Sequence, residues 1–388
     1  MLVGVLYSAI ICIFALYFIF AAYIKFTYPF WSRLNMDHSY GVINSLSRVG
    51  IISSLPLPKL KWLNKTNIKV IKHGRINDKS KEITAFIKKH QVMDRRTINL
   101  LTNEMFLTTF SSHNKACFVG TYHERNCNYT HNNPMIGLIT ARPLAVKIQN
   151  KFFTTYFIEN LLIHREWKQE TDKLAPELIY NVIFEQQQTG SSRTCLFERH
   201  GRLDIPTRTL LTHKAYFFSV KHWQSTKLLP AVYQITTIHA KNLTILKDGI
   251  DRLSRMFKCT ILPCWSNIVD MISSKKLVIN VVTYGDSMLS LYLMRDPCMM
   301  HNDQNVIECI SSVNFSDDKN IFILGFNDIL LSIRAKYKSV ILHDLSHNRT
   351  LIDAITAKHP PCDTTTSHLF LYNFIQPSFN NSDFIVIN

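Results

Sequence analysis

The stretch "MIGLITARPLAVKI" (135–148), followed two residues later by "KFFTTYFIENLLIHR" (151–165), decides the fold. Both runs are rich in β-branched and aromatic residues, which is the composition of extended strands. Because proline cannot donate a hydrogen bond to a neighbouring strand, we expect Pro143 to break the first run. Two long adjacent strands of this kind predict an antiparallel sheet in the first half of the chain.

Helical patterns lie on both sides of these strands. "SKEITAFIKKHQVMD" (80–94) and "NLLTNEMFLTTF" (99–110) come before them and predict two helices. "DKLAPELIYNVIFEQQQ" (172–188) comes after them and predicts a third, amphipathic helix. We expect Asp172 to cap this helix and Pro176 to be tolerated in its first turn.

The second half of the chain repeats this order more faintly. It contains the helical runs "KDGIDRLSRMF" and "FNDILLSIRAKYK" and the strand-like runs "KLVINVVTY" and "SLYLM". Helices followed by antiparallel strands, twice over, predict an α+β chain of two similar halves. We therefore predict a segment 1–24, a first half 25–220 and a second half 221–388.

Composition narrows the class of protein. The 388 residues carry a net charge of +16, and 46% of them are hydrophobic, so the chain is folded and favours an anionic partner. The basic residues are scattered without interleaved aromatics, so we expect no nucleic-acid partner. With 11 glycines and no glycine-rich phosphate loop, the chain is not a P-loop or dinucleotide-binding protein. The nine cysteines form no CxxC pair, and no His or Cys completes a site with Cys259 and Cys264, so we expect reduced thiols and no metal.

The amino-terminal run from residue 2 to residue 24 contains no charge and is long enough to cross a bilayer as a helix. It lacks the basic start and short apolar core of a cleaved signal peptide. Lys25 and Arg33 follow it, and positive residues stay on the cytoplasmic side, so we expect a single-pass membrane protein with most of its chain in the cytosol. Six Asn-x-Ser/Thr sequons would suit the opposite topology, but about that many arise by chance in this composition; they start at Asn64, Asn128, Asn242, Asn314, Asn348 and Asn380.

The chain finishes on "NNSDFIVIN" (380–388), whose apolar residues from Phe384 to Ile387 predict a strand. Terminal residues usually fray, because ordering them gains little. Two interpretations are open at this point. The strand either closes the edge of a sheet, or it holds the chain terminus in place for a chemical purpose.

Several of these segments together resemble the eukaryotic-type N-myristoyltransferase family. Gly137 and Pro143 on the first strand, Ile163–His164 at the end of the second, and Leu174–Pro176 at the start of the helix match the family's pattern. Further on, "LHDLSHNRTLIDAI" and "HLFLYNFIQP" are similar to the family's closing segments, and a short apolar strand follows them there too. The resemblance runs in collinear order from residue 28 to residue 388.

The resemblance implies a fold of two GNAT-like halves related by a pseudo-two-fold repeat, the first binding acyl-CoA and the second binding the peptide. It implies transfer of a fatty acyl group from myristoyl-CoA to the amine of an N-terminal glycine. The family uses its own terminal carboxylate to remove the proton from that amine. On this basis the α-carboxylate of Asn388 is the candidate general base, and burial would raise its pKa toward useful strength.

The resemblance also implies an oxyanion hole. The family uses two consecutive backbone amides, which correspond here to Asn160 and Leu161, with Glu159 in place of a family asparagine. Backbone donors aimed at the developing negative charge tolerate such a change of side chain. On the segment alone, a plain core strand is an equally good interpretation of these residues.

Acyl-CoA binding is implied for two further groups of residues. An aromatic group follows the amino-terminal run, and a second group precedes and opens the helix; they are Tyr28, Phe30 and Trp31, and Lys168, Lys173, Leu174, Ala175 and Pro176. The loop "REWKQETDK" (165–173) departs from the family by mixing acidic residues with its cations, which weakens the expected phosphate site. The family's acidic peptide-facing triplet becomes "MDRR" (Met93–Arg96), which predicts a changed peptide preference.

Three functions follow from these expectations. The first is a membrane-anchored, monomeric N-acyltransferase that acts on proteins with an N-terminal glycine. The second is a non-catalytic relative that keeps the fold to bind an acyl chain or a polypeptide at a membrane, which the altered loop favours. The third, an unrelated membrane-tethered interaction protein, has the least support.

Overall fold

A computed structural model describes most of the chain, and for residues 2–5 and 73 it describes the backbone alone. The described residues are 2–41, 48–91, 97–124, 134–221, 223, 227–316 and 318–387. Asn388 and the segment Met93–Arg96, both named above, lie outside them.

Helices and strands alternate along the described chain. The helices are α1 (Leu2–Thr27), α2 (Ile76–His90), α3 (Asn103–Phe110), α4 (Thr171–Gln188), α5 (Leu243–Met256), α6 (Trp265–Ser273), α7 (Lys319–Ile333) and α8 (Asn348–Thr356). The strands are β1 (Gly50–Ile51), β2 (Ile68–Lys72), β3 (Thr97–Asn99), β4 (Phe118–His123), β5 (Met135–Ile148), β6 (Lys151–Ile163), β7 (Cys195–His200), β8 (Leu211–Ser219), β9 (Gln234–Thr237), β10 (Cys259–Leu262), β11 (Leu277–Tyr284), β12 (Ser287–Arg295), β13 (Met299–His301), β14 (Gln304–Asn314), β15 (Ser339–His343), β16 (Asp363–Tyr372), β17 (Phe374–Ile375) and β18 (Phe384–Val386). Short 3₁₀ turns cover Trp31–Arg33, His73–Arg75, Arg165–Glu170 and Asn381–Asp383.

Nearly all of the strands form one sheet, in the order β18-β10-β5-β6-β7-β16-β8-β15-β14-β12-β11-β9, with β2, β3, β4 and β13 joined at its sides. Most neighbours are antiparallel, but β6 runs parallel to β7, β14 to β15 and β10 to β18. A parallel pair needs a long crossover, and α4 and α7 supply it for the first two pairs. The strand–helix–strand arrangement therefore occurs twice, as β6-α4-β7 (the first unit) and as β14-α7-β15 (the second unit). This repeat confirms the predicted α+β class with GNAT-like organisation.

The two units exchange strands. β16, from late in the chain, lies between β7 and β8, and β10 and β18 extend the sheet beyond β5. Each half of the sheet is thus completed by the other half of the sequence. The division at residues 220 and 221 stays a prediction, since the sheet runs through it without a gap.

The prediction that Pro143 breaks the first strand was wrong, because β5 is continuous from Met135 to Ile148. On one side, β4 pairs with β5 only as far as Ala141, and β10 pairs with it only from Ala145 onward. Pro143 lies in the gap between these two partners. Its missing N–H group therefore costs no ladder hydrogen bond on that side.

The start of α4 also differs from the prediction. The helix begins at Thr171, so Asp172 is its second residue and does not cap it. Pro176 is the sixth residue and not part of the first turn. The proline removes only the hydrogen bond to the carbonyl of Asp172, which is exposed and can be hydrated.

Helix α1 contains one stretch, Leu6–Thr27, that is long and apolar enough to cross a membrane. Most of its side chains are exposed, as they are for Phe18 and Phe26. By length and composition this helix is a candidate membrane span or signal sequence. Its orientation in a membrane stays a prediction.

Candidate functional site

The candidate site lies where β6 and β7 stop pairing, and the unpaired stretch beyond that point is called the V. The two strands pair over three positions, ending where Ile158 faces Phe197. Beyond that pair β6 continues to Ile163 and β7 continues to His200, and the described ladder between them stops. Backbone groups on the inner edges of this V are therefore available to a ligand.

A β-bulge lies on β6 inside the V. The register with β5 shifts between Leu138 and Thr140, so that Asn160 and Leu161 share a single position. Asn160 has a φ of 52°, a left-handed conformation that asparagine tolerates better than most residues. Its side chain donates to Thr140 Oγ1 at 3.0 Å, which holds the bulge in place. A bulge re-aims the amides of its strand, and here it does so at the two predicted oxyanion donors.

The amino terminus of α4 faces the same region, because α4 follows β6 through the 3₁₀ turn Arg165–Glu170. No side chain at Glu170 caps this helix in the described chain, although the N–H of its first residue, Thr171, donates to the carbonyl of Lys168 in the 3₁₀ turn. The positive end of the helix dipole can still attract an anion. Lys168 and Lys173 are both exposed, and Lys173 Nζ lies 3.9 Å from Glu170. Of the apolar residues that follow, Leu174 is buried in the core, while Ala175 and Pro176 are half-buried.

The aromatic residues after α1 lie beside the V. Trp31 packs edge-on against Phe197, the last residue of β7 that pairs with β6, with ring centroids 5.7 Å apart. Phe30 is buried and contacts Trp62 at 5.1 Å. Tyr28 instead continues α1, since its N–H donates to the carbonyl of Ile24 at 2.8 Å. Two of the three predicted aromatic residues thus form part of the wall around the site.

The terminal apolar run forms strand β18, as predicted, at the edge of the large sheet. Its continuation is held as well, because the N–H of Ile387 donates to the carbonyl of Ile261 at 2.9 Å. Ile387 is completely buried, and the carbonyl of Val386 accepts from Ser311 Oγ at 3.2 Å. Asn388 itself lies outside the described residues, so its role stays a prediction.

Buried charges next to the bulge were missed by the sequence analysis. Arg142 is 1% exposed, and its Nε donates to Glu159, the residue before the bulge, at 2.9 Å. Its Nη1 has no hydrogen-bond partner among the described residues. Burial lowers the pKa of Lys276, which interacts with both residues, to about 8. The available signal was a single arginine inside the apolar run "LITARPLAV".

A second buried group lies further along the sheet. Arg295 donates to Glu308 at 2.9 and 2.6 Å. His343 lies near this ion pair, and its Nδ1 is 3.3 Å from His213 Nε2. Burial lowers the pKa of both imidazoles to about 4, so both are neutral at pH 7.

A cavity of about 370 Å³ opens between α2 and the 3₁₀ turn that leads into α4. Phe86, His90, His164 and Trp167 are among its lining residues. The rings of His90 and His164 lie 4.2 Å apart, and burial lowers the pKa of His90 to about 4. The cavity offers flat, mostly uncharged walls beside the helix terminus described above.

No family model matches the sequence, and no curated protein matches it either. Solved structures do match over nearly the whole chain. One of Saccharomyces cerevisiae N-myristoyltransferase with bound myristoyl-CoA aligns with a TM-score of 0.66 and 14% identity, covering 90% of this chain and 93% of that one. A second, of the same yeast enzyme, aligns with a TM-score of 0.67 and 13% identity, covering 92% and 93%. The chain has the fold of N-myristoyltransferase.

Proposed function

We propose that this protein is a membrane-anchored N-acyltransferase that moves a myristoyl group from acyl-CoA to the amine of an N-terminal glycine. The observation that carries the proposal is the bulge at Asn160, which lies on β6 beyond its last pair with β7 and on the strand that leads into α4. The yeast enzyme with this fold was crystallised with myristoyl-CoA, which supports acyl-CoA as the donor.

The donor site follows from the chemistry of the groups in the V. The amino terminus of α4, with Lys168 and Lys173 nearby, suits the pyrophosphate of CoA. A thioester held between β6 and β7 would place its carbonyl oxygen at the bulge. The amides of Asn160 and Leu161 would then stabilise the negative charge that develops on that oxygen.

The acceptor amine must lose a proton before it attacks, because an ammonium has no lone pair. We assign this step to the α-carboxylate of Asn388. The burial of β18 and Ile387, which directly precede Asn388, supports the assignment, because a carboxylate that is buried has a raised pKa. The anchor α1 suits the same function, because the acyl donor and the lipidated product both partition into membranes. We expect the protein to act as a monomer, with its catalytic part in the cytosol.

A non-catalytic acyl-binding protein is the second candidate. The observation that favours it is the charge of the turn that would hold the CoA phosphates. Three cations there are matched by three carboxylates, and the six residues are Arg165, Lys168, Lys173, Glu166, Glu170 and Asp172. A net charge of zero weakens the attraction for phosphate that the helix terminus supplies.

Transfer of labelled myristoyl-CoA to a glycine-initiated peptide, by the full chain in detergent, tests the proposal. The matched control is the same peptide with an acetylated amino terminus, which offers no amine. Label on the free peptide alone supports the acyltransferase. Bound acyl-CoA without transfer supports the second candidate, and neither binding nor transfer contradicts both.

A further inference from the structure

Half of the net charge of the protein is concentrated in one short part of the chain. Residues 59–90 contain nine lysines and one arginine against two carboxylates, a net charge of +8 out of +16. The segment covers the loop after Trp62, the side strand β2 and helix α2. The lysines on it are exposed, so their charges face solvent.

Three of these lysines line one cleft of about 430 Å³. Lys65 comes from the loop, Lys69 from β2 and Lys79 from α2, so three separate elements direct cations to the same space. The rest of the lining consists of polar residues such as Thr66, Asn67 and Thr121, of apolar isoleucine and methionine side chains, and of Glu82. Cations and neutral donors converging on one concave surface are suited to a phosphate group.

The carboxylates nearby leave this cleft positive. Lys79 pairs with Glu82 at 2.9 Å, and Lys65 pairs with Glu185 at 3.3 Å. Both pairs are largely exposed, and such pairs contribute little and exchange readily with other partners. Lys69 has no carboxylate within 4.0 Å in the part of the chain that the structure describes. A ligand with two negative charges can therefore be bound without disrupting a buried ion pair.

The cleft is held close to the carboxyl-terminal end of α1. Phe30, three residues beyond the helix, packs against Trp62 at 5.1 Å, and Lys65 follows Trp62 by three residues. Arg33 and Lys61 lie over the ring of Trp62 at 5.9 and 5.3 Å. These contacts leave little freedom between the end of α1 and the loop that carries Lys65. If α1 spans a membrane, the cleft must stay close to that membrane.

We propose that the cleft formed by Lys65, Lys69 and Lys79 binds the phosphate-bearing headgroup of an anionic lipid in the membrane that α1 enters. Basic residues beside a membrane helix are attracted to anionic headgroups within about one Debye length of the surface. The contact would act as a second attachment point and orient the domain on the bilayer. The inference depends on α1 as a membrane span and is independent of acyl transfer.

Labelling of lysine amines in the full chain, reconstituted in nanodiscs, tests the proposal. One preparation contains phosphatidylcholine alone, and the other adds phosphatidylserine. We expect labelling of the three cleft lysines to fall about fivefold in the anionic discs, as a contribution of ~1 kcal/mol for each lysine near the surface implies. Lys247 and Lys319, which are exposed on α5 and α7, should label equally in both preparations.

Two triple variants provide the matched comparison, read by hydrogen exchange of the backbone of residues 66–71. The anionic discs should protect this segment in the control triple and not in the cleft triple. The cleft triple is Lys65→Gln, Lys69→Gln and Lys79→Gln, and the control triple is Lys241→Gln, Lys247→Gln and Lys319→Gln.

Four results would overturn the proposal. Equal labelling in both kinds of disc would show that lipid charge is irrelevant to the cleft. Equal loss of protection in both triple variants would show that only the total charge of the protein matters and not the position of the lysines. Protection by inorganic phosphate or CoA in neutral discs would identify a site for soluble anions, and a chain that fails to enter the discs would remove the premise.

Discussion

The two parallel strand pairs of this fold, β6 with β7 and β14 with β15, share one architecture and differ in what lies between the strands. Beyond the last pair of β6 and β7 the described ladder stops. In the second unit the ladder also stops, after Cys309 faces Leu342, but a side chain fills the space. Asn348 is completely buried and donates through Nδ2 to the carbonyls of Cys309, Ile310 and His343 at 3.0, 3.2 and 2.8 Å.

The crossover helices differ in the same sense. Helix α7 is capped by Asp318, whose carboxylate accepts from the N–H groups of Asn320 and Ile321 at 2.8 and 3.2 Å. Helix α4 has no such cap at Glu170. In the second unit the protein's own side chains already satisfy the groups that a thioester and a pyrophosphate would need. In the first unit no side chain at Glu170 satisfies them in the described chain, so we expect only the first unit to bind acyl-CoA.

The largest expected effect comes from the chain terminus. Adding one glycine after Asn388 converts the proposed base into an amide and moves the new carboxylate about 3.5 Å away. We expect turnover to fall by about 10²–10⁴, because that is the usual contribution of a general base. Asn388→Ala keeps the carboxylate and should keep most activity. Unchanged turnover in the extended chain, measured beside an unchanged melting temperature, would contradict the assignment.

The stability of the pair β14 and β15 should depend on the side chain of Asn348, which lies between these strands. Asn348→Ala removes the two N–H groups that three carbonyls share in and beside the core, and we expect a loss of about 3 kcal/mol in the free energy of unfolding. In the open pair, Asn160→Gly should change stability by less than about 1 kcal/mol, since glycine accepts a positive φ. Urea unfolding of both variants measures the contrast. Equal stabilities would mean that Asn348 does not hold the second pair together.

Acid should weaken the packing of β8 and β15 through the buried imidazoles of His213 and His343. Burial holds the pKa of His213 and of His343 near 4, below the ordinary value of 6.5. Between these values the unfolded chain takes up protons that the folded chain does not, so stability falls as the pH drops from 6.5 to 4. A shift of this size corresponds to about 3 kcal/mol.

His213→Gln should make the acid-dependent loss of stability less steep when unfolding is measured across that range. The loss should not vanish, because burial also holds the pKa of His90 near 4. An unaltered pH dependence in the variant would show that His213 is protonated equally in the folded and unfolded chains.

The open helix terminus should respond to charge. Glu170→Lys removes a carboxylate beside the proposed pyrophosphate site, and we expect CoA to bind about tenfold more tightly, as one added charge-assisted contact allows. Asn320→Lys places the same charge at the capped terminus of α7 and should leave CoA binding unchanged. Calorimetric titration with CoA compares the two variants. Equal tightening by both would indicate long-range attraction and not a site at α4.

The smallest expected effect is on stability and comes from Asp318, the side chain that caps α7. Asp318→Ala should lower the stability of the chain by about 1 kcal/mol, the usual cost of losing an N-terminal cap. Glu170→Ala should cost nothing measurable, because Glu170 caps nothing in the described chain. Thermal unfolding of the two variants separates these outcomes, and an equal loss in both would mean that the two termini are stabilised alike.

Local patterns were enough to predict the longest elements of this fold, although helix α6 and strand β2 were not among the predicted elements. The long runs that became β5, β6 and α4 follow from residue composition and helical period. The terminal strand followed from four apolar residues. The errors concerned boundaries: Asp172 does not cap α4, and Pro143 does not break β5, because the effect of a missing N–H depends on which strand lies alongside.

By itself the sequence determined the class of fold, the apolar helix at the start of the chain and the segments that could bind a donor. Only the tertiary structure decided that Asn348 lies between β14 and β15, that the buried Arg142 pairs with Glu159 beside the bulge, and that three distant lysines share one cleft. These features depend on strand register and on side chains that meet across long sequence separations. A local pattern of residues specifies whether a segment forms a helix or a strand. The side chains that occupy the space between two such elements come from distant parts of the sequence, so no local pattern reveals them.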